Sequence, residues 1–127
     1  EGKPVGTSFL VGDSEEVMRL SRQLILNPFI GHPPEHRMVS IPEVREMLKE
    51  YALLDGAFVV SGTGLLEAAG RYITVDTSGV SLPKGMGTRH SSVAALTSVT
   101  DAVGFVVSES GGKVSIIKKG KIVKVIA

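Results

Sequence analysis

Short apolar runs, separated by glycines and polar residues, fill most of the sequence after Gly56. Runs of this length between turn signals are typical of β-strands, because alternate side chains can then face a core. They predict strands at AFVVSG, GLLEAAG, RYITVD, VGFVVS, KVSIIKKG and KIVKVI, the first three as a meander, and VGTSFLV at residues 5–11 predicts an earlier one. The chain must therefore form a sheet, and we expect about six to seven strands in it.

The stretch GDSEEVMRLSRQLIL has helical character. It predicts a first helix with Asp13 or Ser14 as its N-terminal cap and acidic residues in its first turn. Its apolar positions share one helix face and are core candidates: Val17, Leu20, Leu24 and Ile25.

Two more helices are predicted further along the chain. Residues 27–37 contain three prolines and a glycine and predict a loop. A second helix follows over about residues 41–54, with Pro42 in its first turn, where the missing N–H costs little. After a polar loop at residues 76–87, a third helix covers residues 88–98. The predicted fold class is α+β, a mixed twisted sheet flanked by helices.

Length and composition limit the function classes. With 127 residues, 43% of them hydrophobic, the chain suffices for a single domain over 1–127 and is short for two. The 14 basic and 13 acidic residues nearly cancel, so we expect no direct nucleic-acid binding. The absence of cysteine excludes disulfides and thiolate metal sites, and it is consistent with a cytoplasmic location.

The apolar runs are also far shorter than the roughly 20 residues of a membrane-spanning helix. The chain opens with EGKPVG, without an initiator methionine or a signal-peptide pattern. We therefore expect a segment without membrane spans, cut from a longer protein.

The third predicted helix begins with an unusual set of residues in KGMGTRHSS. Helix N-termini carry unpaired backbone N–H groups and partial positive charge, which suits phosphate oxygens. Gly87 lets the backbone approach a ligand, while Thr88, Arg89 and His90 add a hydroxyl, a guanidinium and an imidazole. Taken alone, the pattern favours a structural interpretation, in which Thr88 is the N-cap and the cationic residues lie on a solvated turn.

A second candidate is the stretch LLDGAFVV. Asp-Gly between apolar runs is usually a turn, in which glycine takes a positive φ and the aspartate bonds the nearby backbone, and that is the default interpretation here. In a functional interpretation, Asp55 is a carboxylate at a strand edge that can bind a divalent cation or a ribose hydroxyl. Gly56 and Ala57 would then leave room for a sugar.

Other polar residues carry weaker signals. Ser108 and Glu109 follow a predicted strand, where sites often lie, but they are also ordinary hairpin residues. His32 and His36 lack a third metal ligand nearby and are interpreted as surface residues. Several lysines of the last hairpin are interpreted as a solvated sheet edge: Lys118, Lys119, Lys121 and Lys124. No catalytic triad order, glycosidase carboxylate pair, Walker phosphate loop or dinucleotide fingerprint is present.

Taken together, DGA at 55–57, GTRHSS at 87–92 and SE at 108–109 closely resemble the motifs of the diadenylate cyclase domain family (DAC, DisA_N-type). The resemblance extends from VGTSFLVGD and LNPF to TSVTDAVGFVVSESGGKVSIIKKGKI, almost the whole chain. The paired motifs are specific at this spacing, unlike either motif by itself. The resemblance therefore reverses both local preferences for a structural interpretation.

The resemblance implies a cytoplasmic enzyme with the DAC-domain fold, which condenses two ATP molecules into cyclic di-AMP and two pyrophosphates with Mg²⁺ or Mn²⁺. By motif match, Asp55 would bind the metal and position the 3′-hydroxyl for attack, and Glu109 would be the second metal ligand. Arg89 and His90 would be catalytic residues at the phosphates. The matching nucleotide-binding residues are Gly56, Ala57, Arg71, Tyr72, Gly87, Thr88, Arg89, His90, Ser91 and Ser108, with Arg71 and Tyr72 beside the adenine. Since each domain would hold one ATP, two domains must face each other across a two-fold axis.

One position departs from the family pattern. The common motif is Arg-His-Arg, but its third position here is Ser91, which looks like the archaeal form. A hydroxyl carries no charge, so the missing stabilisation must come from elsewhere, and Lys84 and Arg71 are the candidates. Two alternatives stay open: a binding module that holds ATP or cyclic di-AMP without catalysis, and a structural domain in which the motifs are turns and caps.

Overall fold

The computed structural model, which describes residues 6–127, contains one mixed sheet with helices on both of its faces. The strands are β1 (Thr7–Val11), β2 (Ser21–Gln23), β3 (Ala57–Val60), β4 (Leu66–Ile73), β5 (Val103–Val107), β6 (Val114–Lys118) and β7 (Lys121–Ile126). The helices are α1 (Ser14–Arg19), α2 (Pro42–Tyr51) and α3 (Thr88–Ser98), with a short 3-10 helix at Pro34–His36.

The strand order is β2-β4-β3-β1-β5-β6-β7. β1 and β3 pair in parallel, and every other neighbouring pair is antiparallel. Because of these directions, β1 and β3 begin at the end of the sheet where β4 and β5 finish. We call this end, which carries Thr7, Ala57, Ile73 and Val107, the site end.

β3 supplies both cores, since alternate residues of a strand point to opposite faces. Ala57 and Val59 belong to the cluster beneath α1 and α3, whereas Phe58 and Val60 belong to the cluster beneath α2. The ring of Phe58 stacks on Phe9 of β1, with centroids 4.6 Å apart. All four β3 side chains are at most 4% exposed, and each such burial contributes roughly 1 to 3 kcal/mol.

The mixed sheet flanked by helices confirms the predicted fold class. The third helix covers residues 88–98 as predicted, and β1 lies inside the predicted strand at 5–11, of which Val5 falls outside the described residues. None of the helices within residues 6–127 is long and apolar enough to cross a membrane.

The first helix is shorter than predicted. α1 ends at Arg19, where Ser21 begins β2 and its hydroxyl donates to the carbonyl of Val17. Leu24 and Ile25 were expected on a buried helix face, but they follow β2 and are 40% and 43% exposed. The other two core candidates are confirmed. Val17 lies on α1 and is fully buried, and Leu20, at the C-cap of α1, packs against the core.

Two other boundaries also differ. The predicted strands GLLEAAG and RYITVD are the single strand β4, because Gly70 adopts a positive φ of 72° within the strand instead of ending it. The second helix ends at Tyr51, three residues before the predicted Leu54.

A glycine in β5 allows α3 to pack closely on the sheet. A Cβ atom at Gly104 would lie 2.1 Å from Cγ1 of the buried Val93. We expect Gly104→Ala to reduce the free energy of unfolding by about 1 to 3 kcal/mol, because the added methyl overpacks this contact. Urea unfolding will measure it, with Gly79→Ala, which adds a methyl where no atom lies within 4 Å, as the matched control. Equal stability of the two variants would contradict the close packing.

Candidate functional site

Three loop segments meet at the site end. Asp55 and Gly56 lead directly into β3, Gly6 leads into β1, and Ser108 follows β5. The register brings them level, since Phe9 pairs with Phe58 and Thr7 pairs with Val107. The fold therefore places the predicted DGA and SE motifs at the same end of the sheet, next to β3 and β5, with β1 between these two strands.

The N-terminus of α3 is uncapped. The residue at the N-cap position is Gly87, with extended backbone, so the interpretation of Thr88 as N-cap is wrong. No side chain forms a capping hydrogen bond to the helix start, and the first turn carries no acidic residue. The first backbone bond there runs from the N–H of Ser91 to the carbonyl of Gly87, at 3.1 Å. The preceding N–H groups and the helix dipole are thus available to an anion.

Arg89 connects this helix start to the SE motif. Its Nη1 lies 3.5 Å from Oε1 of Glu109, and the two side chains are 37% and 72% exposed. Such an exposed pair stabilises little, so either group can exchange its partner for a ligand. A Cβ at Gly6 would lie 2.5 Å from Nη1 of Arg89, so this glycine makes room for the guanidinium. Sequence reasoning missed Gly6, and its only signal was a glycine directly before the first strand.

His90 and Ser91 follow Arg89 on the first turn of α3, and both are half-buried. Partial burial, and secondly the charge of Arg89, lower the pKa of His90 below its ordinary value of 6.5. Its imidazole is therefore neutral at neutral pH, with one N–H donor and one acceptor nitrogen. The hydroxyl of Ser91 donates to the carbonyl of Gly87 at 3.3 Å, which turns it toward its own helix.

The DGA segment combines an exposed carboxylate with a tight backbone contact. The Asp55 carboxylate is exposed and accepts no hydrogen bond from another described residue, contrary to the aspartate–backbone bond of the simple turn interpretation. Gly56 has a φ of 98°, and a Cβ there would lie within 2.8 Å of the backbone of Gly70 and Arg71. The Ala57 methyl is buried in the core, which leaves its backbone as the part that can face a ligand.

The Arg71 side chain forms hydrogen bonds that connect elements of the fold. Its Nη2 donates to the carbonyls of Met18 and Ser21 at 2.6 and 2.8 Å, its Nε donates to the Ser21 hydroxyl, and its Nη1 donates to the Gln23 side-chain oxygen. Burial lowers its pKa, although a guanidinium stays charged. These bonds join α1 and β2 to β4. Four of the five N–H donors of Arg71 are thus committed to the protein. Its roles at the base and as substitute charge for Ser91 stay predictions.

The remaining predicted residues are placed as follows. Tyr72, next to Arg71, is 50% exposed at the site end. Ser108 lies in the hairpin turn, where its hydroxyl is 3.0 Å from that of Ser110. Lys84 is exposed in the loop before α3.

The acidic side chains of the described residues do not form a complete metal site by themselves, so a metal ion would also need ligands from a bound substrate. Among residues 6–127 there is no group of three or more His, Cys, Asp or Glu side chains arranged to hold a metal ion. Asp55 and Glu109 are two exposed carboxylates. Mg²⁺ commonly binds through one or two carboxylates and the phosphates of its substrate, and the carboxylate is the ligand type that both residues supply.

The candidate site is open surface. Two cavities of about 480 and 560 Å³ lie on the α2 side of the sheet, and none of the predicted site residues lines either of them. Asp55, Thr88 and Glu109 are all exposed. Groups on open surface remain hydrated, so they need a covering partner or ligand to exert strong electrostatic effects.

A family model described as "DisA bacterial checkpoint controller nucleotide-binding" (DAC) matches residues 1–122. The chain is 46% identical to a diadenylate cyclase of Haloferax volcanii and 42% identical to one of Methanocaldococcus jannaschii, each over 123 residues. These alignments cover 97% of this chain but 45% and 38% of the two relatives. The chain thus spans less than half the length of these curated relatives.

Two solved structures share the fold. A hypothetical membrane spanning protein from Bacillus cereus superposes with a TM-score of 0.68 at 22% identity, covering 96% of this chain and 55% of that one. A double mutant of DacA from Staphylococcus aureus gives 0.59 at 23% identity, covering 97% and 76%.

The Arg71 contacts generate a stability prediction. We expect Arg71→Lys to lower the free energy of unfolding by about 2 kcal/mol, because an ammonium cannot reproduce the forked bonds to Met18, Ser21 and Gln23. Arg45→Lys is the matched control, since Arg45 donates one bond, to the carbonyl of Val39. Urea unfolding without nucleotide provides the measurement. Unchanged stability of Arg71→Lys would contradict the structural role of these bonds.

Proposed function

The chain belongs to the DAC family of nucleotide-binding domains, and we propose that it condenses two ATP molecules into cyclic di-AMP with release of two pyrophosphates. The observation that carries this proposal is the convergence of Asp55, the uncapped start of α3 and the Arg89–Glu109 pair at one end of the sheet. Relatives named diadenylate cyclase, at 46% and 42% identity, support the reaction.

The reaction needs two identical phosphoryl transfers. In each, the 3′-oxygen of one ATP forms a bond to the α-phosphorus of the other ATP, and the 3′-hydroxyl loses its proton. The bond from that phosphorus to the oxygen bridging to the β-phosphate breaks, and pyrophosphate leaves with the electron pair. Such transfers require positioning and charge stabilisation more than covalent help from the protein.

The start of α3 is assigned to the phosphates. Its free N–H groups, the Thr88 hydroxyl and the Arg89 guanidinium bind phosphate oxygens, and neutral His90 adds an N–H donor. For Arg89, this requires release of Glu109, which the exposed pair permits at low cost. Since four of the five N–H donors of Arg71 bind the protein, exposed Lys84 is the better placed candidate for the charge that Ser91 does not supply.

Asp55 and Glu109 are assigned to a Mg²⁺ or Mn²⁺ ion shared with the triphosphate. When bound, the ion neutralises phosphate charge and lowers the pKa of the 3′-hydroxyl. Asp55 also accepts a hydrogen bond from that hydroxyl and orients it. Its carboxylate is free of protein donors within residues 6–127, which supports this assignment.

A facing homodimer follows from the chemistry. One domain binds one ATP on an open surface, while the product has two equivalent phosphodiester bonds, so two sites must face each other across a two-fold axis. The partner domain would also exclude water from the exposed carboxylates and the helix start. An intracellular location fits the ATP substrate and the cysteine-free sequence.

Ser91 favours a second candidate, an ATP or cyclic di-AMP binding module of the same fold. A neutral residue replaces the last arginine of the family motif, and catalysis depends on that charge more than binding does. Nucleotide binding without product at high protein concentration would select this alternative.

Asp55 gives the direct test of the enzyme. We expect the purified protein, with ATP and Mg²⁺ or Mn²⁺, to form cyclic di-AMP, and Asp55→Asn to lower the rate by at least about 100-fold, because an amide binds metal poorly and accepts weaker hydrogen bonds. Chromatography with mass detection measures the product. Asp76→Asn, in an exposed loop where Asp76 bonds Ser78, is the matched control. Normal turnover by Asp55→Asn at saturating metal would refute the Asp55 assignment.

Dilution tests the dimer. We expect specific activity per chain to fall in proportion to concentration once the protein is mostly monomeric, because a lone domain holds one ATP. Rate measurements should be paired with sedimentation at each concentration. Constant specific activity in a sample proven to be monomeric would exclude the facing arrangement.

A further inference from the structure

Tyr72 lies on β4 beside the DGA segment. β4 pairs with β3 through Arg71 and Ala57, and Gly56 packs on the backbone of Gly70 and Arg71, directly before Tyr72. The ring is half exposed, and its hydroxyl makes no hydrogen bond to another described residue. An aromatic ring at this position offers a surface on which a purine base can stack.

Arg22 covers one side of this ring. Arg22 and Tyr72 are direct partners in the antiparallel pairing of β2 with β4. The Arg22 Cζ atom lies 4.9 Å from the ring centroid, within the range of a cation–π interaction. Arg22 has no ion pair and no side-chain hydrogen bond to another residue in 6–127, so the ring is its contact there.

The strand order determines which side of the ring stays open. β4 lies between β2 and β3, so Arg22 approaches Tyr72 from the β2 side. On the β3 side, the residue next to Ala57 is Gly56, which has no side chain to cover the ring. The free side of Tyr72 therefore faces the DGA segment, where the ribose is assigned.

The Arg71 bonds hold this arrangement in place. β2 has three residues, and its flanking members Ser21 and Gln23 both accept bonds from Arg71. Arg22, between them, points to the opposite face, since neighbouring residues of a strand alternate. Its cation is thus positioned over the ring before any nucleotide arrives.

We propose that Arg22 is a positioning residue for the nucleotide base: it holds Tyr72 from the β2 side so that the opposite ring side, toward Gly56, stacks on the base. This role rests on the proposed function, which puts ATP at the site end. The interaction orders the ring in the free protein, so the base meets a preformed surface and loses less affinity to ring ordering. A cation–π contact at an exposed site corresponds to about a two- to five-fold change in affinity.

Tyrosine fluorescence can measure the environment of Tyr72 directly. The chain has no tryptophan and two tyrosines, so Tyr51→Phe leaves Tyr72 as its single tyrosine fluorophore. In this background, ATP should change the Tyr72 emission as the base stacks. We expect Arg22→Gln to weaken ATP binding about two- to five-fold, with KM raised and kcat maintained, and Arg22→Lys to retain part of the affinity.

Two controls separate stacking from bulk charge. Lys121→Gln removes one positive charge on β7, at the opposite edge of the sheet, and should leave ATP affinity unchanged. Inorganic tripolyphosphate, measured by competition with ATP, has no base, so Arg22→Gln should leave its affinity unchanged. Equal weakening of ATP and tripolyphosphate would make Arg22 a phosphate-attracting charge and overturn the proposal, as would unchanged ATP affinity in Arg22→Gln.

The proposed function fails in a different way. If the unmodified protein binds no ATP by calorimetry, both the function and the role of Arg22 are wrong. If it binds ATP and forms product while Arg22→Gln binds ATP equally well, the role of Arg22 alone is wrong.

Discussion

The parallel pairing of β1 with β3 is the constraint on which the rest of the structure depends. It is the one parallel contact in a sheet whose other described pairs are antiparallel, and it makes both strands begin at the same end. The buried side chains of β3 pack on both faces and lock this pair in register. Because β5 runs antiparallel to β1, its last residues join the same end. Motifs separated by some fifty residues along the chain thereby share one surface.

The surface at this end carries both positive and negative groups, and these groups form only weak ion pairs with one another. The start of α3 and Arg89 are positive, while Asp55 and Glu109 are negative, and the contact between Arg89 and Glu109 is long and exposed. A tight buried ion pair would resist exchange, since breaking it would leave an uncompensated charge. Exposed groups without firm partners suit a site that a polyanion and a cation enter together. Arg71 shows the contrast, because four of its five N–H donors bind neutral acceptors and hold strands together.

The sequence predicted the elements whose signals are local. The third helix was found because the polar loop before it and the apolar residues within it are contiguous, and Gly56 was identified as a positive-φ turn. The helix assigned through Ile25 failed because β2 depends on Arg71, which is some fifty residues away and has no local signature. Gly6 and Arg22 were missed for the same reason. Their partners, Arg89 and Tyr72, become neighbours only through the sheet. The motif residues themselves were recognisable as a set, but which of them face a ligand was not.

The occupied donors of Arg71 change how Ser91 should be understood. If Arg71 were free, the loss of the third motif cation could be offset from β4 without any other adjustment. Its bonds to α1 and β2 use four of its five N–H donors, and the Ser91 hydroxyl is itself turned toward the carbonyl of Gly87. In the proposed reaction, the charge that Ser91 does not supply would then have to come from mobile groups, namely a bound cation, Lys84 or a facing domain. Rigid donors act without reorganisation, whereas mobile ones must be ordered by the substrate. If the proposed reaction takes place, a chain built in this way should derive more of its rate from assembly and metal, and less from its own preformed charges, than one with Arg-His-Arg.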